Sequence, residues 1–192
     1  LYEFLADNSQ YIFLKIVGEV KDSNRASARY RICWPHKLMI RNDLHQYRFI
    51  RIFMQILCCF GIVIKKNRKL LKRKVSFYEG RTWFIAPIYV LEYIIDYIEQ
   101  NLDYVDYWED SLASDLMFFQ TIIMNSPFAD MVKDELMYVN FGKTFATMNH
   151  PITIDLETAK TIQDGRFFFA RKFEIEEKEA IEFFIEKLER EK

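Results

Sequence analysis

Two rhythms of apolar and polar positions run along this chain, one with the period of a strand and one with that of a helix. Their alternation predicts a layered α/β or α+β protein. Leu1 to Asn8 reads as a helix end, Tyr11 to Val17 as a strand, and Asp22 to Ser27 as a polar loop. Ala28 to Trp34 is expected to be a second strand, stopped by Pro35. Gln46 to Ile64 carries apolar residues on most faces and predicts a buried or surface-attached helix. Trp83 to Ala86 reads as a short strand, with Pro87 placed where a first helical turn tolerates it and a helix following over Tyr89 to Tyr97. Ser111 or Ser114 is expected to cap a helix that runs to about Asn125. Met137 to Phe141 and Arg166 to Phe173 predict strands. Glu174 to Lys192 predicts a charged helix with an apolar stripe at Ile181, Phe184, Ile185 and Leu188. No repeat or low-complexity linker interrupts the pattern.

The strand pattern near the C-terminus carries the first candidate chemistry. Phe167-Phe168-Phe169-Ala170-Arg171-Lys172-Phe173 is an aromatic run that ends in two adjacent cations. Such a strand can deliver fixed positive charge to the floor of a pocket, where a diphosphate would bind. The same residues also fit a buried strand whose Arg171 and Lys172 mark where it meets water. Trp83 offers an indole face that can stack on a pyranose, or fill a core. Glu109, Asp110 and Asp115 are acidic residues leading into the expected 114–125 helix. They are candidates for a general base, or for charge that favours a helix N-terminus.

Composition narrows the choices. At 192 residues, with 18 Phe and 11 Tyr, the chain fits one domain or part of a larger one and has the means to bury a substantial core. Its 27 Lys and Arg against 28 Asp and Glu give no global case for nucleic acid. Cys33, Cys58 and Cys59 are odd in number and lack the spacing of a zinc or redox pair, which argues against a disulfide framework and for a reducing compartment. His36 and His45 have no partners at metal-ligand spacing, so no metal site is expected.

The stretch from Phe49 to Ile64, interrupted by Arg51 and Gln55, is too short and too polar to span a bilayer. A basic run, Lys65-Lys66-Asn67-Arg68-Lys69-Leu70-Leu71-Lys72-Arg73-Lys74, follows it directly. Residues 49–74 therefore offer either peripheral contact with an anionic leaflet, each cation near the surface contributing on the order of 1 kcal/mol, or a core helix followed by a solvated basic loop. No aromatic residues interleave with these cations, so nucleic acid binding is not expected.

Three blocks, in order, resemble the Core-2/I-branching glycosyltransferase family, which includes branching N-acetylglucosaminyltransferases, peptide xylosyltransferases and bacterial relatives. Tyr78-Glu79-Gly80-Arg81-Thr82-Trp83-Phe84 is similar to the family's Gly-Ser-x-Trp strand. Ser114-Asp115-Leu116-Met117-Phe118-Phe119-Gln120-Thr121, running into Asn125-Ser126-Pro127-Phe128, is similar to its Pro-Asp-Glu-x-Phe-Phe-Gln-Thr helix. Tyr138-Val139-Asn140-Phe141, then His150-Pro151 and the Phe-Ala-Arg-Lys-Phe strand, form the third. Together the blocks span about residues 77 to 175.

The resemblance implies the C-terminal portion of a nucleotide-diphospho-sugar transferase (GT-A-like) α/β fold, a mixed sheet flanked by helices. It implies a single catalytic domain over 1–192 that is N-terminally incomplete: the chain begins Leu1-Tyr2-Glu3-Phe4, and the family's Ser-Gly-x-Asp-x-Pro-Leu motif has only a faint echo at Gly18-Glu19-Val20-Lys21-Asp22. The implied activity is inverting and metal-independent and needs no cofactor. A sugar, N-acetylglucosamine or xylose, moves from a UDP-sugar to a hydroxyl of a glycan, polysaccharide or protein. Lys172 matches the family's phosphate-contacting lysine, with Arg171 beside it, and Trp83 falls at the sugar or acceptor site. His150 lies near where some members place a phosphate-contacting arginine, although a capping or turn role suits it better. Golgi members are disulfide-rich, so three cysteines point to a bacterial relative. The expected location is cytoplasmic, membrane-associated through residues 49–74, with the Golgi lumen as the eukaryotic alternative.

The general base is where the chain departs from the pattern. Aligned on Phe118, Phe119 and Thr121, the family's glutamate becomes Leu116, which accepts no proton. Asp115 is adjacent, yet one helical step turns a side chain by about 100°. Asp115 and Glu109 remain the catalytic candidates. The alternative is a catalytically inactive relative that binds glycan or a partner at the membrane surface.

Overall fold

A computed structural model describes residues 1–22, 24–39, 47–65, 70, 73, 75–142, 151–162 and 166–190. The chain divides into two compact units, Leu1–Leu5 with Glu135–Lys192, and Ala6–Asp134. Both mix helix and strand. The described residues form eight α-helices, a mixed three-stranded sheet and a two-stranded parallel sheet.

The larger unit is organised on β1 (Ile12–Glu19), whose first residues Ile12, Phe13 and Leu14 are buried on both faces as befits a central strand. β2 (Tyr78–Ile85) pairs with it antiparallel and β3 (Val132–Lys133) parallel, giving the order β2-β1-β3. The β1–β2 ladder is irregular. From Leu14↔Phe84 the register steps to Ile16↔Gly80, so Arg81, Thr82 and Trp83 swell out of β2 as a bulge. Gly80 closes the bulge, and only a glycine fits: a Cβ there would lie 2.3 Å from the Lys15 carbonyl oxygen and 2.9 Å from Gln120 Cγ.

After a first helix α1 (Tyr2–Asp7), the sheet is flanked by α2 (Ala28–Arg31), α3 (Arg48–Cys59), α4 (Ile88–Gln100), α5 (Leu102–Trp108) and α6 (Phe118–Met124). The core between them is densely aromatic. Tyr30 stacks on Phe77 at 4.0 Å, and Phe77 meets Trp108 edge-on. The buried phenols find backbone acceptors: Tyr104 donates to the Phe118 carbonyl at 2.7 Å and Tyr107 to that of Tyr30 at 2.6 Å. Burial pushes the ionisation of Tyr30, Tyr104 and Tyr107 upward, so these hydroxyls stay protonated donors.

Several sequence expectations are corrected here. Ala28 to Trp34 is not a strand: Ala28–Arg31 is a helical turn, followed by a single parallel bridge from Ile32 to Ile64. Within that turn, Arg31 is buried on the Asp22 carboxylate at 3.1 Å and Arg29 meets Glu79 at 2.7 Å. Neither Ser111 nor Ser114 caps the next helix. Ala113 sits at φ 54°, Ser114–Leu116 is a separate 3₁₀ turn, and α6 starts at Phe118 without a side-chain cap. Ser111 instead donates to the Tyr107 carbonyl at 3.3 Å.

Lys65, first of the basic run, is also buried. Its ammonium pairs with Asp110, bonds Ser111 Oγ at 3.0 Å and lies over the Tyr107 ring at 4.8 Å. Desolvation lowers its pKa, with Asp110 pulling the other way. Arg73 pairs with Asp103 at 2.7 Å. The other cations of 65–74, with His45 and His150, lie outside the described residues. No helix among the described residues is long and apolar enough to cross a membrane.

In the smaller unit β4 (Met137–Val139) and β5 (Phe169–Arg171) pair parallel, with Tyr138 opposite Ala170. α7 (Leu156–Thr161) and α8 (Lys178–Arg190) bury Ile154, Ala159 and Ala180 with Tyr138, Phe173, Phe183 and Phe184. The expected strand at 166–173 shrinks to three residues. The apolar stripe of the last helix is also rotated, since Phe183 and Phe184 face the core while Ile181, Ile185 and Leu188 are exposed. Ala180, Phe183 and Phe184, spaced i, i+3 and i+4, form the buried face, and the small Ala180 permits close approach.

Gly80→Ala is expected to destabilise the protein by about 1–3 kcal/mol in denaturant unfolding, because the clash is with backbone that cannot move aside cheaply. Asp110→Ala is expected to cost roughly 3 kcal/mol by leaving the Lys65 ammonium buried without its carboxylate. Paired replacement of Lys65 and Asp110 by Met and Ala should recover part of that loss.

Candidate functional site

In the larger unit the chain brings together two of the segments singled out above, 78–84 and 114–121. Because β2 bulges at 81–83, Thr82 reaches the 3₁₀ turn and its hydroxyl donates to Asp115 Oδ2 at 3.1 Å. Gln120 fixes the two segments from below. Its side chain is fully buried, and Nε2 donates to the carbonyls of Arg81 at 2.7 Å and Asp115 at 3.3 Å. Its aliphatic stem occupies the space that Gly80 leaves open. Gln120 Oε1 is buried without a hydrogen-bond partner among the described residues. Phe84 against Phe119, 5.7 Å between ring centroids, completes the contact.

Asp115 emerges from this junction exposed, while Leu116 packs against the aromatic core. One step along the turn thus separates a carboxylate facing solvent from a side chain facing inward, in line with the rotation expected between neighbouring positions. Trp83, in the same bulge as Thr82, is 60% exposed. The result is an indole and a carboxylate in consecutive parts of one surface feature. Glu109 stands exposed at the C-terminal end of α5. Asp110 is committed to Lys65.

Arg171 and Lys172 belong to the smaller unit. Arg171 ends β5 and is exposed. The Lys172 carbonyl accepts from Ile154 N at 2.8 Å, tying the strand end to the segment after Pro151. The Lys172 side chain is 48% exposed, and its ammonium contacts Glu174 Oε1 at 2.5 Å. The hydrogen bond and charge of Lys172, then a hydrogen bond from Thr153, hold the Glu174 carboxyl below its ordinary pKa. The cation expected to meet a diphosphate is therefore answered by an acid of its own chain.

Sequence reasoning assigned no role to Thr82, Gln120 or Glu174. Glu174 was the most legible, since residues two apart on an extended chain share a side. Gln120 lies inside the 114–121 segment, but its burial depends on the space at Gly80, which only the pairing of β1 with β2 reveals. Among the described residues no group of three or more His, Cys, Asp or Glu side chains is arranged to hold a metal ion. No protein-family model matches the chain, and no curated protein matches it.

The depressed Glu174 carboxyl carries a testable sign. The stability it contributes is complete above the unfolded-chain glutamate pKa and disappears as the pH falls through the lower folded value. NMR titration should give a Glu174 midpoint below the usual glutamate range in the native protein, and Lys172→Ala should move it upward toward that range.

Proposed function

We propose that this chain supplies the acceptor and diphosphate-binding part of an inverting, metal-independent transferase with a nucleotide-diphospho-sugar transferase fold. It moves N-acetylglucosamine or xylose from a UDP-sugar to a hydroxyl of a glycan, polysaccharide or protein. The observation that carries this reading is the Thr82–Asp115 contact beside exposed Trp83, which joins two of the three blocks resembling the Core-2/I-branching family. Trp83 stacks on a pyranose face. Asp115 takes the proton from the acceptor hydroxyl as its oxygen forms the new bond to the anomeric carbon. The bond from that carbon to UDP breaks on the opposite side, and its electron pair leaves on the diphosphate.

In the smaller unit, taken by itself, Lys172 and Arg171 are the cations that the resemblance assigns to a diphosphate, whose negative charge grows as a nucleotide leaves and is then stabilised most. To bind a diphosphate, Lys172 exchanges Glu174 for it. Three cysteines, odd in number and with two adjacent, support a reducing, cytoplasmic setting for this reading.

A second reading is favoured by Leu116, which turns an apolar side chain inward where the family pattern has its base. Under it the chain is a catalytically inactive relative, and Trp83 with Asp115 forms a glycan- or partner-binding surface.

The deciding assay measures UDP release from UDP-N-acetylglucosamine and UDP-xylose by the natural protein that carries this chain, in EDTA. Turnover is expected, with Lys172→Ala and Asp115→Asn each lowering kcat/KM by about 100-fold or more. Unchanged turnover in Lys172→Ala overturns the assignment of the diphosphate site. Absence of turnover, together with glycan retention that Trp83→Ala abolishes, selects the second reading.

A further inference from the structure

Only one side of α4 enters the core of its unit. Val90 and Ile94 are buried there, and Tyr93, Tyr97 and Ile98 pack against the same cluster. The other side keeps large apolar residues in water: Ile88, Leu91 and Ile95 are 74%, 39% and 54% exposed. Their spacing of three and then four residues sets them along one line of the helix. In heptad terms the line reads isoleucine at a, leucine at d and isoleucine at a, the pattern that seats one helix on another. It is one half of a helix–helix contact.

The charges beside this line describe the other half. Glu92 and Glu99 fall at the e positions of the same heptads and Asp96 lies on the same flank, all three exposed. Among the described residues none of these carboxylates meets a cation. Arg73, which bonds Asn101 just past the helix, is taken by Asp103. Between Arg81 and Lys133 the chain has nine acidic residues and no Lys, Arg or His. In a helix pair the e position faces the flank of the neighbouring helix and decides which neighbour is accepted. Here it asks for a cation.

We propose that the outward face of α4 is a docking surface for a basic amphipathic helix of a partner protein. The partner lays its apolar residues along Ile88, Leu91 and Ile95 and its lysines or arginines along Glu92, Asp96 and Glu99. With thirteen residues α4 is about 20 Å long, enough for roughly two heptads of such a helix. Two other occupants fit less well. A second copy of this chain brings the same carboxylates and no cation to the seam, which sets like charges together. An anionic lipid surface is repelled by the same acids. None of these residues takes part in the proposed sugar transfer, so the two readings stand or fall separately.

The test uses two fluorescein-labelled synthetic peptides of three heptads, with Ile at a, Leu at d, Ala and Gln at b, c and f, and either Lys or Glu at every e and g. Fluorescence anisotropy with the full chain is expected to show binding of the lysine peptide that weakens as salt is raised, and binding of the glutamate peptide at least about tenfold weaker. Ile88→Ser/Ile95→Ser should keep its melting temperature, because both side chains are exposed, and bind the lysine peptide about tenfold or more weakly. A charge exchange supplies a readout that a folding defect does not imitate: Glu92→Lys/Glu99→Lys should prefer the glutamate peptide. No binding of the lysine peptide, equal binding of the two peptides, binding unchanged in Ile88→Ser/Ile95→Ser, or a charge-exchanged chain that still prefers lysine overturns the proposal. So does light scattering that shows a dimer which Ile88→Ser/Ile95→Ser dissolves.

Discussion

The junction of β2 with the 114–116 turn depends on one constraint, the absence of a side chain at Gly80. That absence lets the Lys15 carbonyl and the stem of Gln120 approach the strand backbone together. Gln120 then spends its amide protons on Arg81 and Asp115 carbonyls, which welds the bulged strand to the turn. A bonded buried amide is specific in a way an aliphatic side chain is not, because misplacement leaves polar atoms unsatisfied in a dry interior. Asp115, Thr82 and Trp83 are thereby held on the outer side of this weld by residues that never reach solvent themselves.

Charge in the larger unit is disposed with equal economy. Cations on and near its core end on nearby acids: Arg29 on Glu79, Arg31 on Asp22, Lys65 on Asp110. Such pairs stabilise weakly on balance, since desolvation offsets most of the attraction, yet breaking one strands a charge. They fix the ends of short helices where the sequence offers little capping chemistry. In the smaller unit Lys172 obeys the same habit with Glu174. An exposed pair of this kind is cheap to separate, so an anionic ligand that outbids one carboxylate can take over the ammonium. The functional reading and the electrostatics are compatible on those terms.

α3 departs from that economy. Its inner face closes over Trp34 and Cys58, while phenylalanines stand in water on the other side. Apolar surface is common on proteins, but here large apolar side chains stand collinear on one helix, in a stretch of sequence with no acid between Asp43 and Glu79. That distinguishes it from the exposed residues on α8, which are surrounded by glutamates.

Much of the element order was readable from the sequence, because the periodicities at Tyr11 to Val17, Tyr89 to Tyr97 and Glu174 to Lys192 report backbone geometry directly. The mixed α/β character followed from their alternation. At Ala28 to Trp34 the same reasoning failed: a period of two describes hydrophobicity, and the partners that bury Arg31 and engage Arg29 come from distant segments. The candidate site was legible as residue types, Trp83, Asp115, Arg171 and Lys172, with a plausible chemistry for each. What only tertiary structure decided is which of them meet a partner and which way they face. Whether Asp115 or Leu116 turns outward, and whether Lys172 keeps its charge free, depends on hydrogen bonds and ion pairs set by packing. Local sequence fixes the rotation between neighbours but not where that rotation begins.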